Sequence, residues 1–376
     1  MGSLNRFPGR LALQQRVLPT YRAPFFDAMA AACDGGLSVF AGQPRPDEAI
    51  ASGELKVAYY VPARNLHLLR GPLYLCWQHG LLDWLTEWNP DALIVEANPR
   101  YLSTPAAVRW MKKHGKPVIG WGLGAPLLSG PFAGLRKTRR LSFLKRFDAL
   151  MTYSRRGADE YAVFGFPADR IFVAPNAAAP RPTHPMPKRP VDFTGTPTIL
   201  FVGRLQARKR IDLLLRACAA LQEKIQPKLV IVGDGPERKN LEVLAKQIYP
   251  RAEFPGAKHG AELAPYFAAA DLFVLPGTGG LAAQEAMSYG LPVVMGQGDG
   301  TNDDLVRPGN GWQIPPDDLD TLTETLRTAL SDIFQLRAMG AESYRIVVEE
   351  INLQKMVEVF VETLEPLLHT IPGECP

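Results

Sequence analysis

Short apolar runs that alternate with helical periods constrain the second half of this 376-residue chain more than any other feature. Ile199-Leu-Phe-Val-Gly203 is such a run, and helical periodicity follows from Ile211 to Leu221. Leu229-Val-Ile-Val-Gly233 precedes a helix expected over Pro236 to Ile248, with proline in the first turn, where its missing N–H does no harm. Leu272-Phe-Val-Leu275 precedes a helix expected from Leu281 to Tyr289, closed by Gly290, and Pro292-Val-Val-Met295 is a further strand. Strands this rich in Val, Ile and Leu, separated by helices, are those of a parallel sheet covered on both faces.

The first half repeats the pattern less cleanly. Its expected strands are Leu11 to Gln15, Leu37 to Ala41, Ala92 to Val95, Pro117 to Gly120, Leu150 to Tyr153 and Ile171 to Val173. Helical patterns include Ala106 to His114 and Ala158 to Phe164. The fold class is therefore α/β, with two doubly wound, Rossmann-like domains facing a cleft. Between the halves, Pro180 to Pro190 places five prolines in eleven residues, which no helix or central strand tolerates. The expected boundaries are 1–180 for an N-terminal domain, 181–196 for a stiff linker, 197–350 for a C-terminal domain, and 351–376 for a final helix returning towards the N-terminal domain. In doubly wound sheets ligands meet the carboxyl ends of strands, so a site is expected in the cleft.

Composition narrows the class. Apolar residues at 46% and charged residues at 21% describe a globular protein, not a disordered one. Cys33, Cys76, Cys218 and Cys375 lie too far apart for a CxxC site or a disulfide scaffold. His79, His114, His184 and His259 lack metal-binding spacing, and no Asp-x-Asp motif follows a strand, so no metal is expected. No P-loop, GxSxG or fitting GxGxxG occurs. The opening residues lack the long apolar core of a secretion signal, and no stretch of about 18 apolar residues could span a membrane. A cytoplasmic location is the resulting expectation. Charge is uneven: +11 up to Thr196 and −7 from Pro197 on, within a net +4. A basic half beside an acidic one suggests an anionic partner. RNA- and DNA-binding motifs are absent, so nucleic acid is not expected. Leu135 to Phe147 carries six cations and no acid, with Leu141, Leu144 and Phe147 at i, i+3 spacing. That stripe reads either as a core-facing helix or as a membrane-surface helix, and the cationic face permits attachment to an anionic membrane in both cases.

Three turns carry candidate chemistry. Arg204 and Lys209 follow the first strand of the second half, a fork and a point charge suited to a diphosphate, or else members of a solvated basic turn. Gly277-Thr278-Gly279-Gly280 opens the helix at Leu281, where amides and the dipole favour a phosphate or sugar hydroxyl; a plain tight turn is the alternative. Glu285, within that helix, either accepts hydrogen bonds from a ribose diol or faces solvent.

In order and spacing, Phe201-Val-Gly-Arg-Leu205 with Lys209, Val230-Ile-Val-Gly-Asp-Gly-Pro236, Tyr266 to Pro276, Glu285-Ala-Met-Ser-Tyr-Gly-Leu-Pro-Val-Val294 and Gly309-Asn-Gly311 closely resemble family 4 of the retaining, GT-B-fold glycosyltransferases. Leu18-Pro-Thr-Tyr-Arg22 resembles the first loop of members that extend cell-surface glycans, and Ser154 and Asn176 match the family's recurring Ser and Asn. The resemblance implies transfer of a sugar from a UDP- or GDP-sugar to a lipid-linked or cell-surface glycan acceptor, with no further cofactor. It implies Arg204 and Lys209 on the diphosphate as the catalytic cations, Gly277, Thr278, Gly279, Gly280 and Leu281 around the donor, Glu285 on the ribose, and Thr20, Tyr21 and Arg22 on the acceptor. Two departures stand out. Gly277 occupies the first position of the family's Glu-x(7)-Glu pair, and Val118-Ile-Gly-Trp-Gly122 lacks the family's histidine. They motivate the alternative of a non-catalytic nucleotide-sugar or glycan-binding protein of the same fold.

Overall fold

The computed structural model describes residues 6–369 except 46, 47, 49, 194, 222–224 and 299. The chain divides into two compact units, Met1–Ala178 together with Leu353–Pro376, and Ala179–Asn352.

The first unit is built on an eight-stranded sheet. Its strands are β1 (Leu11–Val17), β2 (Leu37–Gly42), β3 (Tyr59–Leu68), β4 (Leu75–His79), β5 (Ala92–Glu96), β6 (Val118–Gly122), β7 (Ala149–Thr152) and β8 (Ile171–Val173), in the order β4-β3-β2-β1-β5-β6-β7-β8. All neighbours are parallel except β3 and β4, which form an antiparallel hairpin at the edge. Six of these strands are those expected; β3 and β4 are not. The expected six carry short apolar runs and, apart from the edge strand β8, are mostly buried, whereas β3 buries only Ala63 and leaves one face open, so it shows no continuous Val/Ile run. One side of the sheet packs on Trp84, Met111, Leu144, Tyr161 and Phe164. The other side takes the helices Ala23–Ala31 and Leu353–His369, where Phe25 meets Phe360 at 5.0 Å and Trp121 at 5.6 Å between ring centres. Each such buried aromatic contributes about 1.5–3 kcal/mol.

The basic segment forms a helix over Ala133–Leu144. Its stripe is core-facing: Leu144 and Phe147 are buried and Leu141 packs against the same cluster. Arg140 turns inward, donating to the Gly124 carbonyl at 3.0 Å over the Phe164 ring. Arg136, Lys137, Arg139, Lys145 and Arg146 remain exposed.

The second unit has a six-stranded parallel sheet of β9 (Thr198–Val202), β10 (Lys228–Val232), β11 (Ala252–Gly256), β12 (Leu272–Leu275), β13 (Val293–Gly296) and β14 (Gly311–Ile314), in the order β11-β10-β9-β12-β13-β14. The unforeseen strands, β11 and β14, are its two edges. Pro255 lies within β11, and an edge strand accommodates the missing N–H. The proline-rich stretch carries no regular structure and lies along this unit. Arg189 donates to the carbonyls of Tyr289 at 3.0 Å and Phe267 at 2.7 Å, and Tyr344 Oη donates to the His184 carbonyl at 2.5 Å.

Candidate functional site

The order of the second sheet fixes where a ligand can enter. From β9 the chain winds outward through β10 to β11, and from β12 it winds the other way through β13 to β14. The switch point is the gap between the carboxyl ends of β9 and β12, where the following loops part. Gly203, Arg204 and Lys209 leave β9 there, and Pro276 to Gly280 leave β12 on the opposite bank. Residues 70 positions apart in sequence thus share one crevice because their strands are hydrogen-bonded neighbours.

The two loops interlock. The Thr278 amide donates to the Arg208 carbonyl at 3.1 Å, Lys209 Nζ donates to the Thr278 carbonyl at 2.6 Å, and an Arg208 guanidinium N–H reaches Thr278 Oγ1 at 3.2 Å. Gly277 is required by this approach. A Cβ on it would stand 2.1 Å from the Arg208 carbonyl oxygen, so the departure from the family's glutamate has a steric reason. Gly279 adopts φ +118° and passes so near Lys209 Nζ that a side chain there would displace the ammonium. Behind the loop, the helix Leu281–Ser288 directs its first-turn amides out of its N-terminus.

Arg204 stands apart from Lys209's contacts. It is exposed, has no hydrogen-bond partner among the described residues, and lines a cavity of about 550 Å³ at the ends of β9, β10 and β11 with Gly233, Asp234, Lys258 and His259. Lys258 went unnoticed in sequence and His259 was weighed only as a metal ligand, because β11, which delivers them, was not expected. Burial and the neighbouring Arg208 charge push the Lys209 ammonium down to about 8. Burial raises the Glu285 carboxyl, which is half-buried in the second turn of Leu281–Ser288 and has no described cation beside it. Both groups are therefore held in environments that disfavour their charge until a counter-group arrives. Asp303 and Asp304 sit in the first turn of the short helix Thr301–Leu305, and no metal-binding cluster occurs among the described residues.

In the first unit, Thr20 and Tyr21 are exposed but Arg22 is not. Its guanidinium, 5% exposed, donates to Asn176 Oδ1 at 2.6 Å and stands 5.0 Å and 5.4 Å from the Tyr153 and Trp121 ring centres. Arg22 thus joins the loop after β1 to the loop after β8 and has little surface left for an outside molecule. Ser154 caps the helix Arg155–Phe164 by accepting from the Gly157 amide at 3.1 Å. Glu96, not singled out in sequence, ends β5 at this sheet's own switch point. Burial raises it to about 7, although it accepts from the Arg16 amide at 2.5 Å.

Family models agree with this architecture. Residues 186–345 match the glycosyl transferases group 1 family and residues 21–177 match the glycosyl transferase 4-like domain. The chain belongs to the group 1 glycosyltransferase family, with two Rossmann-like α/β units of the GT-B type. Among curated relatives, the sulfoquinovosyl transferase SQD2 of Arabidopsis thaliana is 34% identical over 36% of this chain and 27% of its own length. A GDP-mannose-dependent alpha-mannosyltransferase of Mycobacterium tuberculosis is 38% identical over 32% of this chain and 31% of its own. These matches span about a third of each relative. Sucrose-phosphate synthase from Thermosynechococcus elongatus shares the fold, with a TM-score of 0.68 and 18% identity over 96% of this chain and 99% of that one.

Proposed function

We propose that this chain is a retaining glycosyltransferase that moves a sugar from a UDP- or GDP-sugar onto a lipid-linked or cell-surface glycan acceptor. The interlocked loops at the β9/β12 switch point carry the reading: a half-buried lysine, a glycine-lined turn and a helix N-terminus converge where an anion gains most. Lys209 and the amides from Gly279 to Leu281 hold the diphosphate, Arg204 reaches it from the neighbouring cavity, and that cavity takes the base. Glu285 accepts from the ribose diol. As the glycosidic bond to the donor phosphate breaks, negative charge grows on the leaving oxygen, and Lys209, Arg204 and the helix amides stabilise it. The departing phosphate accepts the acceptor hydroxyl's proton on the face where the new bond forms, which retains the configuration and makes a separate base unnecessary. The acceptor meets the first unit near Thr20 and Tyr21. The exposed cations of Ala133–Leu144 and the turn after it favour an anionic membrane surface, consistent with a peripheral location on the cytoplasmic side.

A panel of UDP-, GDP- and ADP-sugars tested by thermal shift identifies the donor, since a ligand bound only by the folded state raises its apparent stability. Anomeric analysis of the product by NMR then tests retention. No stabilisation by any nucleotide sugar refutes the donor assignment. Binding without transfer to any glycan or lipid-linked sugar selects the non-catalytic alternative.

A further inference from the structure

The β3–β4 hairpin presents an unusual surface. The register pairs Arg64 with His79, Leu66 with Trp77, and Leu68 with Leu75. In an antiparallel edge hairpin, the face turned from the core is normally polar. Here Asn65, His67, Cys76 and Gln78 face inward, while the leucines and Trp77 face outward. The inward side is firmly held: Gln78 Nε2 donates to Asn65 Oδ1 at 3.0 Å, Asn65 Nδ2 donates to the Arg16 carbonyl at 2.7 Å, and the Gln78 amide donates to Ser103 Oγ at 2.7 Å. Hydrogen-bonded polar groups thus lie inside, while leucines and Trp77 lie outside beside the Arg64–His79 pair.

The tip extends the pattern. Leu69 is 61% exposed and Leu73 71%, and Trp77, further down β4, is 43% exposed. Leu69 adopts φ +60°, a left-handed backbone that a bulky residue seldom accepts. Its side chain gains no burial in return, so the strain is not repaid within this unit. Charge points to one kind of partner. The whole stretch between Glu54 and Asp83 contains Lys56, Arg64 and Arg70 and no carboxylate. Contiguous leucine and tryptophan fringed by arginine suits the boundary between headgroups and acyl chains, where indole is favoured and each basic residue is drawn to anionic lipid. Strand addition by a protein partner is less suited, because the outer edge of β4 is bridged to Tyr101, with the Cys76 amide donating to the Arg100 carbonyl at 2.9 Å.

We infer that the outer face and tip of the β3–β4 hairpin insert into the interfacial layer of an anionic bilayer, with Leu69, Leu73 and Trp77 as the inserted groups and Arg64 and Arg70 on the headgroups. This rests on the membrane-surface location proposed above and assigns the contact to a hairpin distinct from the basic helix. The full chain is sedimented with phosphatidylcholine vesicles, with and without phosphatidylglycerol, and tryptophan emission is recorded. Expected results are binding to the anionic vesicles, a blue shift that Trp77→Phe abolishes, a loss of about tenfold or more in Leu69→Ser/Leu73→Ser, and about fivefold for each of Arg64→Gln and Arg70→Gln. Neutralising the exposed helix cations should weaken affinity yet keep the blue shift at saturation. Unchanged melting temperatures show that the variants fold. Wild-type affinity in the leucine variant, a blue shift that survives Trp77→Phe, or a dimer that the leucine changes dissociate (a second copy covering the face) overturns the inference. Titration with UDP and GDP reads the transferase assignment separately, so that assignment can stand if the hairpin proves inert.

Discussion

Lys209 gives the sharpest test of the donor site. Its ammonium is depressed from 10.5 to about 8 by burial and by Arg208, which corresponds to about 3 kcal/mol against the charged form. An anionic diphosphate beside it reverses that penalty, so binding raises its proton affinity. The sign follows: below about pH 8 the free site is already protonated and affinity is flat. Above it, each bound diphosphate must carry in a proton, and affinity falls up to about tenfold per pH unit until the pKa of the bound lysine is reached. Isothermal titration with the matching nucleoside diphosphate from about pH 7 to 9.5, in buffers of different ionisation enthalpy, should show about half a proton taken up at pH 8. Lys209→Arg should flatten the profile, because guanidinium stays charged throughout. Lys209→Ala should flatten it too, with affinity about 10- to 150-fold lower at pH 7. A flat wild-type profile, or an alkaline slope that persists in Lys209→Ala, would refute the assignment.

Arg204→Ala should weaken nucleoside diphosphate binding or turnover by a similar factor with an unchanged melting temperature; kinetics at wild-type level would remove Arg204 from the site. Glu285→Gln should lower nucleoside diphosphate affinity by calorimetry while leaving the free phosphate or pyrophosphate affinity alone, since only the ribose contact is lost. Gly277→Glu, which restores the family's usual residue, should lower the melting temperature and donor affinity, because its Cβ meets the Arg208 carbonyl; a stable, more active variant would show that the 208–209 loop readily moves aside. Changing Arg136, Lys137, Arg139, Lys145 and Arg146 to Gln should reduce sedimentation with anionic vesicles at low salt, whereas equal binding to neutral and anionic lipid would assign those cations to solvation alone.

How much of this was legible in the chain varies with the kind of signal. Central strands such as Ile199 to Val202 and Leu272 to Leu275 are apolar on both faces, so composition alone marks them. The Pro236 and Gly290 punctuation marked helices for local reasons, although the first of these begins at Arg238 in the structure. Arg204, Lys209 and Gly277 to Gly280 stood out as charged or glycine-rich turns after strand ends, while their roles and that of Glu285, inside the helix Leu281–Ser288, came from the family resemblance. Four strands escaped notice: β4, β11 and β14 lie at sheet edges and β3 leaves one face open, so they lack the apolar run of a buried strand, whereas the edge strand β8 was legible from its unbroken Ile171-Phe-Val173. The place of Lys258 and His259 beside the β9–β11 cavity was lost with β11, and the hairpin's apolar face with β3 and β4.

Other features belong to the tertiary structure because they depend on which strands become neighbours. β9 and β12 are separated by two βα units in sequence, and only their pairing brings Lys209 onto the Thr278 carbonyl and makes Gly277 sterically necessary. The glycine was visible in sequence as a missing glutamate; its cause, a carbonyl 2.1 Å from the absent Cβ, was not. Arg22 read as a loop residue open to an acceptor until the sheet order placed Asn176, Tyr153 and Trp121 around it. The depressed Lys209 and raised Glu96 are likewise products of burial, which no residue sets alone. Local chemistry chose the strands, helices and charged turns of this protein; the order of strands in the two sheets decided which of those turns face each other, and in what dielectric.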